Sequence, residues 1–147
     1  MGNFLDENIT KQIQEVFSSL VNPVEILLFT TEKDCEYCGD TRELMEEVCG
    51  LSDKLSLRVV DIDKDAELAK QYHIERSPSI ALLADVDGAR IDNGIRFSGI
   101  PAGHEFSAFI HSIISVSRQE PGISQETQAF LDSLQSPVHL EIFTTPT

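Results

Sequence analysis

Leu5, Ile9, Ile13, Val16, Phe17 and Leu20 recur at three- and four-residue steps with polar residues between them. That spacing predicts an amphipathic helix, and Asn22-Pro23 ends it because the residue before a proline avoids the helical region. From Val24 to Thr30 the apolar positions run almost without a break, with Ile26-Leu27-Leu28-Phe29 at their centre. Such a run predicts a strand buried on both faces, as in the middle of an α/β sheet. After the polar stretch Thr31 to Asp34 the helical pattern returns from about Glu36 to Val48. Leu44, Met45 and Val48 point inward there, and Gly50 serves as the cap. Leu55 to Ile62 alternates as a strand, and Asp63 is placed to cap a short helix through Tyr72. Ser77-Pro78 interrupts the chain before a strand over Ser79 to Ala84. Asp85-Val86-Asp87-Gly88 predicts a turn, and another strand lies near Ile95 to Ser98. Pro101-Ala102-Gly103 opens a helix carrying Phe106, Phe109, Ile110, Ile113 and Ile114. The predicted order is α-β-α-β-α-β-β-α. Its first two strands pair in parallel through a helix, and its last two form an antiparallel hairpin.

The pattern then begins again. Beyond a linker around Pro121-Gly122, Ile123 to Leu134 predicts another amphipathic helix and Ser136 to Thr145 another strand. Pro23, Val24, Phe29, Thr30 and Thr31 recur as Pro137, Val138, Phe143, Thr144 and Thr145 at a constant offset of 114, with Phe17 and Leu20 recurring as Leu131 and Leu134. This internal repeat divides the chain into a domain over residues 1–118, a linker over 119–123, and the truncated start of a second domain over 124–147. The truncation is engineered or natural. Cut from its repeat, this helix–strand stub leaves apolar surface and an open edge. It is expected to pack back onto the first domain or to pair two chains as a homodimer.

Composition narrows the function. The 147 residues carry 11 Lys and Arg against 25 Asp and Glu, a formal charge of −14. A nucleic-acid binder needs cations to displace counterions from phosphates, so this balance argues against nucleic acid, and equally against an anionic membrane. No apolar run approaches the roughly 18 residues of a spanning helix. The acidic N-terminus lacks a secretory pattern, and Gly2 is followed by Asp6 where a myristoylation motif has Ser or Thr. Three cysteines do not make a secreted disulfide framework. The expectation is a cytoplasmic protein in which paired cysteines do redox or metal chemistry.

Cys35-Glu36-Tyr37-Cys38 carries that chemistry. Two cysteines so spaced at the start of a helix can close a small disulfide. With Cys35 as the N-cap, its thiol faces the positive end of the helix dipole, which favours the thiolate that attacks disulfides. Cys38 is then placed to resolve the mixed disulfide. The pair follows a buried strand in a βαβ pattern, the context that raises its weight. Ser77-Pro78, just before the third strand, is expected to lie beside the cysteines with a cis bond, leaving the backbone of Ser77 free to pair with a substrate peptide. Ser77, Pro78 and Tyr37 are the candidate substrate-binding residues.

These residues resemble the thioredoxin/glutaredoxin superfamily, and more closely the two-domain glutaredoxin-like protein disulfide oxidoreductases of thermophilic prokaryotes. The resemblance rests on Phe29-Thr30-Thr31, the CxxC, Val60-Asp61-Ile62-Asp63, Ser77-Pro78, Arg96 to Phe106, and the second start at Pro137 to Thr145. It implies an α/β thioredoxin fold, a mixed four-stranded sheet flanked by helices, with tandem units in the full protein. It also implies a thiol–disulfide oxidoreductase without a cofactor, acting on protein disulfides in electron transport and cell redox homeostasis. Cys35 would be the nucleophile and Cys38 the resolving thiol. The electron source would be a thioredoxin reductase-type flavoprotein or a glutathione-like thiol donor. Two departures bear on this. The second CxxC is absent, so a redox-slow scaffold domain is the competing reading. The motif's middle is Glu-Tyr, and the chain has no tryptophan.

Glu32, Asp34, Glu36 and Asp40 crowd Cys35, opposed by Lys33 and Arg42. Like charge disfavours the thiolate. This predicts a weakly depressed Cys35 pKa and a reducing couple. Cys49 with His73 or His104 could supply zinc ligands, but four N/S ligands are usual and one CxxC is half a site. A buried, inert Cys49 is the simpler reading, and an iron–sulfur site bridging two chains through Cys35 is more remote. His111 and His139 read as packed or surface residues. Glu25 is weighed as a buried acid assisting Cys38 against a plain end-of-strand residue.

Overall fold

The protein is described by a computed structural model over residues 4–145. Gly2 and Thr147, the outer ends of the two predicted units, lie outside the described residues. Helix α1 spans Glu7–Phe17, shorter than its apolar pattern, because Asp6 caps it by accepting from the N–H groups of Asn8 and Ile9. There follow β1 (Val24–Thr30), α2 (Cys38–Cys49), β2 (Leu55–Asp61), α3 (Ala66–Gln71), β3 (Ser79–Val86) and β4 (Ala89–Ser98). A 3-10 turn at Gly103–Glu105 leads into α4 (Phe106–Arg118), and α5 spans Gln125–Asp132. The four strands form one mixed sheet in the order β2-β1-β3-β4. β1 pairs in parallel with β2 and antiparallel with β3, and β3 and β4 form the antiparallel hairpin.

Why β1 is apolar at consecutive positions is now plain. Ile26 and Leu28 face one side, where Leu44, Met45 and Val48 of α2, Phe109 and Ile113 of α4, and Ile13 and Phe17 of α1 cover them. Leu27 and Phe29 face the other side, against Val60, Ala69, Tyr72, Ala81 and Leu83. Alternate residues of a strand point to opposite faces, so a strand with both faces covered has no polar side to spare. The hairpin between β3 and β4 turns on Asp87 and Gly88, both at positive φ (53° and 81°). Such a two-residue turn matches the twist of the strands and favours Asp-Gly. Gly88 N–H also donates to the Asp85 carboxylate at 2.8 Å.

Four sequence expectations are corrected and a fifth, the Gly50 cap, holds. The cap of α3 is Asp65, not Asp63. Asp61 to Asp65 closes a turn first (Asp65 N to Asp61 O, 2.9 Å), and the Asp63 side chain is drawn to other partners. Gly50 does cap α2, but at φ −65°, so its cap needs no left-handed residue. β4 begins at Ala89, six residues before the predicted Ile95. Residues 136–145 form no strand. A strand exists through its neighbours' hydrogen bonds, and this segment has none beside it. Nor does the stub pack back on the domain, since residues 121–145 are exposed throughout. Among the described residues, no helix is long and apolar enough to cross a membrane.

Candidate active site

The C-terminal end of β1 delivers the chain to the cysteine pair. After Thr30 the loop Thr31 to Asp34 carries the chain outward, and Asp34 adopts a positive φ of 37° just before Cys35. Asp is among the few side chains that tolerate this region. Cys35 and Cys38 are joined in a disulfide with their Cα atoms 5.5 Å apart. Cys35 is half-buried and Cys38 is buried. The N-cap of α2 is Tyr37, with Cys38 its first helical residue, so the expectation that Cys35 caps this helix is corrected. The Tyr37 carbonyl accepts from both the N–H (2.9 Å) and the hydroxyl (2.5 Å) of Thr41, a fully buried residue that fixes the first turn. The Tyr37 ring is about half exposed, at 49%.

Ser77-Pro78 is a cis peptide, as anticipated. Ser79 pairs with Phe29 on β1, so the Ser77-Pro78 segment leaves β3 at the same end of the sheet from which the cysteine loop departs. Pro78 is buried, and its carbonyl is taken by the Gly99 N–H at 2.8 Å. The Ser79 hydroxyl donates to the Arg76 carbonyl at 2.7 Å. Ser77 is different. Neither its N–H nor its C=O bonds to backbone among the described residues. Its hydroxyl is buried without a hydrogen-bond partner, the one such side-chain atom among them.

The cysteine loop is tied to the turn after β2. Thr31 Oγ1 donates to Asp63 at 2.6 Å, and Lys33 Nζ to the same carboxylate at 2.9 Å. Lys64 reaches Glu32 at 2.6 Å and Asp61 at 3.2 Å. The Thr31 hydroxyl, then Lys33, hold the Asp63 carboxyl below its ordinary range. The Asp63 N–H chiefly, with Lys64, does so for Asp61. Both lysines are shifted up by their acidic partners. These pairs are solvent-exposed, so their worth is geometric more than energetic. Sequence reading missed this clamp because its partners lie about 30 residues apart and no local pattern links them. It also missed Arg96, which forks onto Asp92 (2.7 and 2.9 Å), donates to the Tyr72 carbonyl and lies over the Tyr72 ring.

The clamp changes the charge around the disulfide. Lys33 and Arg42 were expected to oppose the acids beside Cys35. Lys33 is instead held by Asp63, and Arg42 by Glu46 at 2.8 Å along α2. Glu25 is no partner for Cys38. It lies near the start of β1, five residues or about 16 Å before Thr30, and forms an ion pair with Arg90. Cys49 packs on the main core, where burial pushes its thiol up to about 12. Among the described residues, no group of three or more His, Cys, Asp or Glu is placed to hold a metal. His111 and His139 are exposed, each bonded on its own segment.

No family model matches the chain. Curated proteins do. The chain is 24% identical over 139 residues to a protein named NADH dehydrogenase from Bacillus subtilis. It is 26% identical over 141 residues to the F component of alkyl hydroperoxide reductase in Staphylococcus aureus, and 32% over 114 residues to the same component in Pseudomonas aeruginosa. These alignments take 95%, 95% and 76% of this chain but 24%, 24% and 18% of the relatives, so it spans about a quarter of their length or less. A protein disulfide oxidoreductase from Aeropyrum pernix matches in structure with a TM-score of 0.75 and 30% identity, over 88% of this chain and 55% of that one. The F component of the Enterococcus faecalis alkyl hydroperoxide reductase matches with a TM-score of 0.79 and 27% identity, over 90% and 62%.

Proposed function

We propose that this chain, which has the thioredoxin fold and is similar to protein disulfide oxidoreductases and to F components of alkyl hydroperoxide reductase, is a thiol–disulfide oxidoreductase acting on protein disulfides. The observation that supports it best is the Cys35–Cys38 pair, closed as a disulfide with the first cysteine half-exposed and the second buried. In the reduced protein the Cys35 thiolate attacks one sulfur of a substrate disulfide. A Cys35–substrate disulfide forms and the other substrate sulfur leaves as a thiolate. Cys38, as thiolate, then attacks the Cys35 sulfur, re-forms the internal disulfide and releases the second substrate thiol. Two electrons pass to the substrate, and its two leaving sulfurs take up protons from solvent. An external dithiol or a thioredoxin reductase-type flavoprotein returns the two electrons. The relatives' names, an NADH dehydrogenase and a hydroperoxide reductase component, support an NADH-linked electron source and a place in electron transport.

Ser77, Pro78 and Tyr37 present the substrate segment in this reading. The unpaired backbone of Ser77 supplies the hydrogen bonds. With the nearby lysine and arginine engaged elsewhere, the unopposed acids disfavour the Cys35 thiolate, which supports a reducing couple. Residues 124–145 open a second unit of the same fold. Their recurrence at an offset of 114 supports this, and the apolar side chains they leave exposed support pairing of two chains through the same segment.

The test is a redox titration of the full chain in graded thiol buffers, with Cys35, Cys38 and Cys49 each read by alkylation and mass spectrometry. A two-electron transition confined to Cys35 and Cys38 is expected, with loss of disulfide reduction in Cys35→Ser. A pair that never opens over the whole range would instead support the scaffold reading.

A further inference from the structure

The acids beside the disulfide stand alone. Asp34 precedes Cys35, Glu36 follows it, and Asp40 lies in the first turn of α2 two residues after Cys38. All three are exposed, and none forms an ion pair among the described residues. The cations that share their segment are committed elsewhere, Lys33 to Asp63 and Arg42 to Glu46. On the facing segment before Pro78, Glu75 and Arg76 are adjacent, exposed and of opposite sign, so they add little net charge. A substrate approaching Cys35 therefore meets three uncompensated negative charges. It also meets an exposed Tyr37 ring and a serine whose main-chain groups have no backbone partner among the described residues.

From this juxtaposition we infer that the site selects polypeptides whose disulfide is flanked by Lys or Arg, with Asp34, Glu36 and Asp40 as the specificity-determining residues. The inference rests on the thiol–disulfide reading of the same site. Two observations fix its two halves. The open main-chain groups of Ser77 are suited to an extended polypeptide rather than a small disulfide. The unpaired carboxylates attract cationic side chains next to the scissile bond and repel anionic ones, raising the encounter rate for the first and lowering it for the second. Anionic disulfides such as oxidised glutathione are poor partners on the same ground.

The experiment uses the full chain, reduced beforehand and freed of reductant. Two synthetic peptides, each with one intramolecular disulfide, differ only in Lys or Glu at the flanking positions. Neutral hydroxyethyl disulfide is the third probe. The readout is the rate of Cys35–Cys38 oxidation. At low salt the Lys-flanked peptide is expected to react about tenfold faster than the Glu-flanked one, the lower end of what steering delivers. The ratio falls toward one near 1 M salt, where the screening length is about 3 Å. It also falls toward one in the triple variant Asp34→Asn, Glu36→Gln, Asp40→Asn. Because the ratio is internal to each protein, a general change in thiol reactivity does not mimic it. Equal rates, or a faster Glu-flanked peptide, overturn the specificity while leaving the oxidoreductase reading intact. Failure of all three disulfides to oxidise the pair overturns both.

Discussion

Residues 17–31 and 131–145 share a pattern, and their structures diverge where the pattern needs partners. At the helix ends they agree. Ser19 and Ser133 each donate a hydroxyl hydrogen bond three residues back, to Val16 and Phe130. Leu20 N–H bonds to Phe17 O at 3.1 Å, and Leu134 N–H to Leu131 O at 3.2 Å. Past the prolines they part. Val24 to Thr30 becomes the central strand, paired on both sides, while Val138 to Thr144 is exposed coil. Helix bonds close within a few residues, so a local sequence suffices to form them. A strand's bonds come from other segments, so the same local sequence without neighbours stays open.

The sharpest way to break this comparison is to truncate its matched aromatic. Phe29 is fully buried against Tyr72, and Phe143 is 89% exposed. Phe29→Ala is expected to cost about 3–5 kcal/mol in denaturant unfolding. Phe143→Ala should change it by less than about 0.5 kcal/mol. Equal costs would mean that the second segment is packed in solution. A smaller effect comes from acid. The Arg96 guanidinium, first among several groups, holds the Asp92 carboxyl below its ordinary range. A lowered folded pKa stabilises above the unfolded value of about 3.9 and is lost as pH falls through the folded one. The melting temperature of the native chain should therefore drop more steeply below about pH 4 than that of Asp92→Asn. Matching slopes would deny the fork any role in anchoring β4 over Tyr72. Smallest is the ion pair of Glu25 with Arg90, whose repeat counterpart is His139 paired with the exposed Glu141. Glu25→Gln should cost about 0.2–1 kcal/mol and His139→Gln nothing measurable.

The same division explains what the sequence could disclose. β1 was legible to the residue because its apolar run needed cover on both faces and found it. Helix α2 was legible through Leu44, Met45 and Val48, yet its start was misplaced by two residues. The side chains do not say that the Tyr37 carbonyl, doubly held by Thr41, is where the helix begins. The cysteine pair and Ser77-Pro78 were visible as motifs. What escaped was every tie of long sequence span, including Lys33 to Asp63, Lys64 to Glu32 and Glu25 to Arg90. The first of those ties withdraws Lys33 from the acids beside the disulfide, so the acids could be read from the sequence but the loss of that counterion could not.

Cys49 gives the molecule a further property. Three cysteines admit three single disulfides, and two of those would take Cys35 or Cys38 out of service. A thiol pushed up to about 12 by burial is ionised to about one part in ten thousand at pH 8. The reacting species in exchange is the anion, so burial disfavours Cys49 as a partner for Cys35 or Cys38. In the proposed exchange cycle, packing around Cys49 would thus act as a kind of proofreading, guarding the Cys35–Cys38 pair against the two unproductive isomers.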